Sequence, residues 1–424
     1  MVRELKHTEI GDIPVDWELQ TFDETFRVIS NNTLSRENLN NRGGAVRNIH
    51  YGDILTKFPE VLDCNEEEIP YVNELSLLSS STQLLQDGDI VVADTAEDEN
   101  VGKVIEVQNL GDSKLVAGLH TIPCRVKKGD FAPGWLGYYM NSDLFHNQIL
   151  PYITGIKVSS ISKGAISETL ILVPPFDEQE KIVQSLNKIQ LLMTAETKVV
   201  NKIKLVKNGC LSKMFPQKDD TVPEMRLPGF TEAWEQRKVS EIGNIVTGST
   251  PKTSISDNYG GEFLFVSPAD IQENRYVDET ITTLTKKGFD QGRRIREKAS
   301  LFVSIGSTIG KVAQTSQEST TNQQINAVEP YDNFDDDFIF TSLENISGSI
   351  KAIASNQAVP IVNKTTFGET EIKVPSELAE QQKIGAYFRN LDHLITLHQC
   401  KCDKYSNIKK GMMSDLLTGK IRLV

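Results

Sequence analysis

The feature that most constrains this 424-residue sequence is a set of residues that occurs twice, about 201 positions apart. Segments 161–182 and 362–384 align at an offset of 201, and at 202 after one inserted residue. The matched pairs are Lys163/Lys364, Glu168/Glu369, Thr169/Thr370, Ile171/Ile372, Val173/Val374, Pro174/Pro375, Glu178/Glu380, Gln179/Gln381, Lys181/Lys383 and Ile182/Ile384. This period is too long for a solenoid repeat. The sequence therefore predicts a duplicated half.

The rest of each half follows one layout. Asp16-Trp17-Glu18 corresponds to Ala233-Trp234-Glu235, and Val101–Val104 corresponds to Ile309–Val312 around a shared Gly-Lys-Val. Short Val/Ile/Phe-rich segments broken by Gly, Asp, Asn and Ser are typical of strands, and Asp87-Gly88 is typical of a turn. The predicted elements are strands at Leu85–Ala93, Ser300–Ile305, Leu170–Val173 and Glu371–Val374, and helices at Phe131–Leu150 and Asp335–Ser355.

A long helix is predicted after the proline in each half. Apolar residues recur there at alternating steps of about four and three, which over four or more heptads is typical of a coiled coil. Acidic residues after Pro174-Pro175 and after Pro375 favour helix N-termini. The predicted seam is Ile182, Leu186, Ile189, Met193, Val200, Ile203, Val206 and Cys210 in the first helix, and Ile384, Phe388, Leu391, Ile395, Cys402, Tyr405, Met412 and Leu416 in the second.

These patterns predict an α/β protein with mixed α+β heads. Two similar globular domains are separated by two long helices that form an antiparallel coiled coil, with an internal pseudo-twofold repeat. The expected boundaries are a first head at 1–172, a central long helix at 173–215, a linker and second head at 216–374, and a C-terminal long helix at 375–424. Pro216–Pro228 has the composition of the linker. The alternative is that each helix packs on its own half.

The charge balance depends on position in the chain. The chain has 45 Lys+Arg against 58 Asp+Glu, a formal net charge of −13, which counts against nucleic acid because phosphate contacts need Lys and Arg. Residues 181–215, however, hold seven lysines and one glutamate, and residues 380–424 hold eight basic and four acidic residues. Net charge therefore decides nothing about partners. Without an apolar run of about 18 residues or an apolar N-terminal segment, we expect a cytoplasmic protein.

No catalytic or metal-binding motif is complete. Gly306–Val312 is similar to a P-loop, but it has three residues between its glycines and a valine where a Mg²⁺-binding hydroxyl belongs. Val173–Phe176 lacks the polar residue that begins the Pro-Pro motif of amino-methyltransferases. Cys400 and Cys402 are the one close pair among five cysteines, and no second pair completes a zinc site. We expect a chain that is not an enzyme and holds no metal.

The ordered set of motifs, present twice, resembles the specificity subunit of type I restriction–modification systems over nearly the whole chain. No single string carries the resemblance; the set does. The strings are Ile49–Ile54, Val101–Val104 and Val173–Ile182 in the first half, and Phe265–Ile271, Gly306–Val312, Asn322–Ile325 and Val374–Ile384 in the second.

The resemblance implies a non-catalytic DNA reader. Each head would be a target recognition domain that reads one half of a bipartite, asymmetric site in double-stranded DNA. The helices would set the spacer and dock the methyltransferase subunits. The implied partners are two methyltransferase (modification) subunits and two restriction subunits, with no membrane. AdoMet, ATP and Mg²⁺ are expected on those partners, and no cofactor in this chain.

Basic residues of the heads are the candidates for DNA contact, because arginine and lysine bind phosphates and guanine. The candidates are Arg42, Arg47, Lys103, Lys157 and Lys163 in the first head, and Lys286, Lys287, Arg293, Arg294, Arg296, Lys311 and Lys364 in the second. Lys163 and Lys364 recur together, so a structural role is the alternative for them, since base-reading residues should differ between the halves.

Two other functions stay open at this point. One is a coiled-coil scaffold that joins two protein-binding heads without direct DNA readout. The other is an enzyme with an unrecognised site, against which the absence of a cofactor-binding loop counts.

Overall fold

The structure is a computed structural model that describes residues 4–98, 100–155, 157–217, 219–354 and 361–424. The chain forms two compact units. Unit 1 comprises Met1–Thr194 and Asp403–Val424, and unit 2 comprises Ala195–Cys402. Each unit contains one globular half, called its head, together with part of both long helices.

The head of unit 1 is built from short strands and helices. Its strands are β1 (Leu5–Thr8), β2 (Gly11–Pro14), β3 (Glu18–Thr21), β4 (Phe26–Val28), β5 (Leu39–Asn40), β6 (Arg47–Ile49), β7 (Val61–Asp63), β8 (Tyr71–Val72), β9 (Ile90–Ala93), β10 (Thr95–Ala96), β11 (Val104–Gln108), β12 (Leu115–Ala117), β13 (Thr121–Val126), β14 (Ser159–Ser160) and β15 (Leu170–Val173). Its helices are α1 (Phe22–Thr25), α2 (Tyr51–Thr56), α3 (Trp135–Tyr139), α4 (Asp143–Ile149), α5 (Lys163–Ser167) and the start of α6 (Phe176–Met214).

A five-stranded sheet in the order β4-β13-β9-β11-β7 lies at the centre of this head. Its neighbours are antiparallel except β11 and β7, which run parallel. A second sheet has the order β12-β6-β8-β5, and β15 pairs with β3. The core packs Trp17 edge-on against Trp135 at 6.4 Å and includes Ile182 and Leu186 of α6. The start of α6 is therefore part of the head's core.

The head of unit 2 repeats this construction. Its strands are β16 (Glu235–Lys238), β17 (Gly243–Thr247), β18 (Tyr259–Val266), β19 (Tyr276–Val277), β20 (Thr283–Leu284), β21 (Arg294–Ile295), β22 (Ser300–Val303), β23 (Val312–Thr315), β24 (Ser319–Thr321), β25 (Ile325–Pro330) and β26 (Glu371–Val374). Its helices are α7 (Val239–Ile242), α8 (Lys286–Phe289), α9 (Asp336–Ala354), α10 (Lys364–Gly368) and the start of α11 (Leu378–Leu416).

The central sheet of unit 2 has the order β17-β25-β22-β23-β19, which matches the sheet of unit 1 strand for strand. Its one parallel pair, β19 with β23, is the counterpart of β7 with β11. The smaller sheets share a three-strand core, β12-β6-β8 and β24-β18-β20, but the fourth strand joins at opposite ends. The predicted duplication and the predicted fold class are confirmed.

Two buried residues explain why the Glu-Gln string recurs at the start of each long helix. Gln179 accepts a hydrogen bond from the Ala132 amide at 3.0 Å and donates to the Pro174 carbonyl at 2.8 Å. In unit 2, Gln381 accepts from the Asp335 amide at 3.0 Å and donates to the Pro375 carbonyl at 3.0 Å. The glutamine thus fixes the helix start against its own head, since buried polar groups need such partners.

The predicted strands Leu170–Val173 and Glu371–Val374 are confirmed. The strand predicted at Leu85–Ala93 begins only at Ile90, after the predicted turn, and the one at Ser300–Ile305 ends at Val303. The helix predicted at Asp335–Ser355 is α9, and Ser355 lies outside the described residues.

The single helix predicted at Phe131–Leu150 is wrong, because the segment forms α3 and α4. Asn141 interrupts it: its side chain accepts from the Val104 amide at 3.0 Å and donates to the Val104 carbonyl at 2.7 Å. Ser142 then caps α4 by accepting from the Phe145 amide. These side-chain bonds compete with helix continuation.

Candidate nucleic-acid interface

Three loops converge at one end of the central sheet of unit 1. The Asp94 amide donates to the His120 carbonyl at 3.1 Å, and the Ile161 amide donates to the Asp94 carbonyl at 2.9 Å. The Gly118 amide donates to the Ile49 carbonyl at 2.9 Å. We call residues 94–95, 118–120 and 159–163 the loop edge of unit 1.

The same three backbone bonds form in unit 2. The Ser304 amide donates to the Gln324 carbonyl at 2.8 Å, the Val362 amide to the Ser304 carbonyl at 2.9 Å, and the Asn322 amide to the Val266 carbonyl at 3.0 Å. Residues 304–305, 322–324 and 361–364 are the loop edge of unit 2. His120 and Gln324 therefore occupy equivalent positions.

The two loop edges carry different polar side chains. In unit 1, His120 is exposed, its ring meets Tyr51 edge-on at 5.2 Å, and its Nδ1 lies 3.3 Å from the Thr95 hydroxyl. In unit 2, Asn322 donates to Gln324 Oε1 at 3.0 Å, and the Thr250 hydroxyl donates to Oε1 of Gln323 at 2.6 Å. One scaffold therefore presents imidazole and hydroxyl groups in one head and amides in the other.

The predicted lysines that recur in both halves fall into two classes. Lys103 donates to the carbonyls of Leu55 and Phe58 at 3.2 and 3.4 Å, and burial lowers the pKa of its ammonium group. Lys311 donates to the Ile271 carbonyl at 3.0 Å. Both lysines therefore donate to backbone carbonyls of their own heads. In unit 2, the bond from Lys311 to Ile271 holds the loop that resembles a P-loop.

Lys163 and Lys364 behave differently. Each is exposed and is the first residue of a short helix, α5 or α10. Ser162 and Asn363 cap these helices through their own side chains, so the caps do not use the lysines. Within the described residues, neither ammonium group makes a hydrogen bond or an ion pair, and both lysines belong to the loop edges.

The dense basic run of unit 2 is largely paired within its own head. Asp290 binds both Lys286 and Arg294, and the hydrogen bond from Lys286 is the main cause that lowers the pKa of this carboxyl. Lys286 and Arg294 also lie over aromatic rings of the head. Lys287 lies 3.5 Å from Asp257. The positive charge of this run is thus reduced by neighbouring carboxylates.

The other two arginines of the run also have partners. Arg296 makes a two-pronged bond to Asp336, which raises the pKa of the guanidinium. Arg293 is exposed and donates to the Thr247 carbonyl at 2.8 Å. Arg293 therefore remains accessible. Its bond to Thr247, the last residue of β17, holds it near the loop edge of unit 2.

The remaining candidates of unit 1 are dispersed. Arg42 and Lys157 are exposed, and Arg42 lies in a turn whose amides donate to Asn40 Oδ1. Arg47 is buried and donates to the Cys64 carbonyl at 2.6 Å. In this structure the Arg47 guanidinium therefore supports the head.

In unit 1 the start of α6 and the end of α11 pack together on the head. Nζ of Lys409 in α11 donates to Gln190 in α6 at 2.7 Å and pairs with Glu60. Met412 of α11 packs on the core cluster that contains Leu186 of α6. The helices therefore contact each other and the head.

In unit 2 the end of α6 packs against the start of α11. Lys207 lies 2.6 Å from Asp392, Cys210 Sγ lies 3.3 Å from the Tyr387 hydroxyl, and Glu196 pairs with His398. As residue numbers rise along α6, those of their partners fall along α11. The two helices are therefore antiparallel here.

Fifteen of the sixteen predicted seam residues are buried or partly buried. The buried ones are Ile182, Leu186, Val200, Ile384, Phe388, Ile395 and Leu416, and the partly buried ones are Ile189, Met193, Ile203, Cys210, Leu391, Cys402, Tyr405 and Met412. Val206, placed at the seam by its spacing, is exposed, and the adjacent Lys207 is buried. The apolar stripe is interrupted there by charge.

Sequence reasoning missed a buried ion cluster around Lys207. Arg275 donates to Asp337 at 2.8 Å and to Asp392 at 3.0 Å, and its guanidinium lies 4.3 Å from the Phe340 ring centre. Lys207 binds Asp392 and also Glu344. The cluster joins α6, α9 and α11 within unit 2. The offset of 202 that aligns the helices pairs Lys207 with Lys409, and that pairing was the available signal.

Sequence reasoning also missed an arginine that binds each recurring glutamate through two hydrogen bonds, which we call the arginine clamp. Arg422, near the C-terminus, makes a two-pronged bond to the buried Glu178 at 2.7 Å from each nitrogen. Arg226, in the segment between the halves, binds the buried Glu380 in the same way at 2.8 Å. The signal was the similarity of Met225-Arg226-Leu227 to Ile421-Arg422-Leu423.

Within the described residues, no group of three or more His, Cys, Asp or Glu side chains is placed to hold a metal ion. A search of the same residues for a helix long and apolar enough to span a bilayer finds none.

Comparison with known proteins agrees with this architecture. A family model described as the type I restriction modification DNA specificity domain matches residues 231–404. The protein described as the MjaX specificity subunit of a type I restriction enzyme from Methanocaldococcus jannaschii is 24% identical over 99% of this chain and 96% of its own length. The HindI specificity subunit of Haemophilus influenzae is 28% identical over 44% of this chain and 42% of its own length.

A solved structure shares the fold. The S subunit of a type I restriction–modification system from M. genitalium aligns with a TM-score of 0.63 and 14% sequence identity, over 98% of this chain and 99% of that one. The resemblance found in the sequence agrees with three observations: the full-length similarity, the domain match and the fold that the two heads share. Residues 231–404 therefore match the type I restriction modification DNA specificity domain, and the chain is similar over nearly its whole length to a specificity subunit of a type I restriction enzyme.

Proposed function

We propose that each head reads one half of a bipartite, asymmetric sequence in double-stranded DNA. The observation that carries the proposal is the pair of loop edges, which share a backbone scaffold but differ in polar side chains. Two readers of two different half-sites need this combination, because base edges are distinguished by the donors and acceptors that face them.

The low positive charge of the heads fits a division of labour with partners. Most protein–DNA hydrogen bonds go to the backbone and fix position without reading sequence. Much of the basic run of unit 2 is already paired with carboxylates. We propose that partner subunits supply most phosphate contacts and that these heads supply base-edge contacts.

The long helices would set the spacer between the half-sites. α6 and α11 are each a continuous helix of 39 residues, about 58 Å at 1.5 Å per residue. Paired helices are stiff, whereas a Gly/Ser linker is flexible. Spacing between two half-sites is a geometric property of the reader, so helix length would be the ruler.

Helix surface left uncovered would dock the partners. Leu191 in unit 1 and Leu205 in unit 2 are exposed on α6, and Leu394 and Leu397 of unit 2 are exposed on α11. Amphipathic partner helices bind such faces. We propose two methyltransferase subunits at these helices, joined by two restriction subunits, with AdoMet, ATP and Mg²⁺ held by those partners.

The test is co-expression with the methyltransferase subunit encoded beside it, followed by purification and methylome sequencing of the host. A stable complex and adenine methylation at one split sequence are expected. Failure to assemble, or methylation without sequence preference, would contradict the proposal. Assembly without any DNA binding would instead support the scaffold function.

The ruler has its own test. Seven residues added to both α6 and α11 keep the heptad register and lengthen the pair by about 10 Å. The methylated half-sites should stay the same while the spacer grows by about three base pairs, at about 3.4 Å per step. An unchanged spacer in a complex that still methylates would rule out the helices as the ruler.

A further inference from the structure

We infer that His120 in unit 1 and Gln324 in unit 2 are equivalent base-contacting residues, and that Lys163 and Lys364 are their equivalent phosphate contacts. The inference rests on the proposed function and deepens it. It assigns the reading surface to the loop edges rather than to the dense basic run at residues 286–296.

The backbone at His120 is the first observation. Its φ is +57°, a left-handed conformation that few residues other than glycine adopt. Such conformations persist where the surrounding structure imposes them, and they cluster at functional sites. The His120 side chain is exposed, so this backbone conformation presents the imidazole at the loop edge and does not bury it in the core.

The second observation is how firmly this loop is held. Asn31 donates from Nδ2 to the carbonyls of Gly118 and Thr121 at 3.2 and 2.8 Å, which fixes both sides of His120. The ring contacts Tyr51, and Nδ1 faces Thr95 and Asp94 at 3.3 and 3.5 Å. Within the described residues, hydrogen-bonding and ionic contacts of the ring involve Nδ1 alone, which leaves Nε2 for a partner, as base recognition requires of a pre-positioned group.

Unit 2 presents amides from the same position. Asn322 and Thr250 orient the oxygens of Gln324 and Gln323. Within the described residues the Nε2 atoms of both glutamines make no hydrogen bond, so they can donate to a base. Glutamine pairs with the N6 and N7 edge of adenine, whereas an imidazole N–H suits the acceptors N7 and O6 of guanine. The two heads would then prefer different bases at equivalent positions.

The third observation is the contrast between what recurs and what does not. Phosphates are the same at every base pair, so a phosphate contact can be the same residue in both heads, while base contacts must differ when half-sites differ. Lys163 and Lys364 recur, are exposed and serve no described internal bond. They lie in the same loop edges as His120 and Gln324, which differ.

The test uses the assembled complex with its methyltransferase subunits. His120→Gly keeps the left-handed backbone and removes the side chain, and Gln324→Ala removes the amide. Each should lower discrimination at one base pair, in one half-site only, by about tenfold or more. Lys127→Ala is the matched control, because Lys127 is exposed on the same head at the other end of β13; it should change nothing.

Lys163→Ala and Lys364→Ala should weaken binding equally for matched and mismatched DNA, and each should reduce the slope of log affinity against log salt by about 1. The inference fails if His120→Gly and Gln324→Ala leave the methylated sequence unchanged in a complex that assembles and melts as wild type does. If wild-type complex itself shows no split recognition sequence, the proposed function fails instead, so the two failures are distinguishable.

Discussion

The two units secure the start of their long helix with different numbers of bonds. In unit 1 the Glu178 carboxylate accepts from Arg422, from the Trp17 indole at 3.0 Å and from the Leu423 amide at 3.2 Å. In unit 2 the side chain of Glu380 accepts from Arg226, while Nε1 of Trp234 has no partner within the described residues. Both units share the arginine clamp, but within the described residues the further donors to the buried glutamate occur in unit 1 alone.

The difference indicates what duplication has preserved. The buried glutamate, the buried glutamine beside it and an arginine clamp recur because each head must fix a helix start. Supporting bonds around them and exposed side chains at the loop edges have diverged. We expect substitutions at recurring buried residues to change stability, and substitutions at the loop edges to change recognition.

The largest effect should come from removing the clamps. Arg226→Ala leaves the Glu380 carboxylate buried without the arginine that pairs with it, which should cost about 3–5 kcal/mol of unfolding free energy. Arg422→Ala should cost about 1 kcal/mol less, because Glu178 keeps the indole and amide donors. Urea unfolding of both variants measures the difference. Equal losses, or a greater loss for Arg422→Ala, would contradict the asymmetry.

The buried lysines Lys207 and Lys409 differ in how many carboxylates they pair with at the helix pair. Lys207→Met leaves Glu344 unpaired, although Asp392 keeps Arg275, and should cost about 2–3 kcal/mol. Lys409→Met releases Glu60 and Gln190 and should cost about 1–2 kcal/mol, since Glu60 is partly exposed. The double variant should be additive within about 0.5 kcal/mol, because the two lysines share no partner. Strong non-additivity in urea unfolding would refute independent clusters.

Among the lysines that recur in both halves, substitution of Lys103 or Lys311 should change stability, whereas substitution of Lys163 should change DNA binding. Lys103→Met and Lys311→Met each remove an ammonium group bound to backbone carbonyls and should cost about 1–2 kcal/mol, with Lys103 the larger because it has two acceptors. Thermal unfolding measures this cost. The salt dependence of DNA binding should not change, in contrast to Lys163→Ala, and a changed slope would place these lysines on DNA.

The smallest effect concerns Asp16, whose counterpart in unit 2 is Ala233. The hydrogen bond from Arg422 holds the pKa of the Asp16 carboxyl below its ordinary range. Its stabilisation is therefore present above the unfolded pKa and is lost as pH falls through the lower folded pKa. Asp16→Ala should cost less than about 1 kcal/mol near pH 7, a cost that is lost in acid as the carboxylate is protonated. A difference that persists in acid would reject this ion pair as the cause.

The parts of the fold that repeat were predictable, because repetition and periodicity can be read without knowledge of contacts. The offset between Lys163 and Lys364 predicted two heads, and the apolar stripes predicted both long helices. The break between α3 and α4 was not predictable, since it depends on the bond from Asn141 to Val104, 37 residues away. Periodicity also placed Val206 at the seam, where tertiary ion pairs bury Lys207 instead.

The candidate site was predictable in kind but not in detail. Charge alone selected Arg47, Arg296 and Lys311, whose partners in the fold are a carbonyl, a carboxylate and another carbonyl. A search for basic residues does not find His120 and Gln324. Their equivalence is visible only in the backbone hydrogen bonds of the folded heads. The recurring Lys163 and Lys364 were detectable, but their exposure, on which their proposed DNA-binding role depends, is visible only in the structure.

If the proposed function is correct, the two heads, which share one scaffold, read DNA independently of each other. The most direct measurement is methylome sequencing after residues 230–370 are replaced by the corresponding head of another specificity subunit. We expect one half of the methylated sequence to change while the other half and the spacer persist. A change in both halves, from a complex that assembles normally, would contradict it.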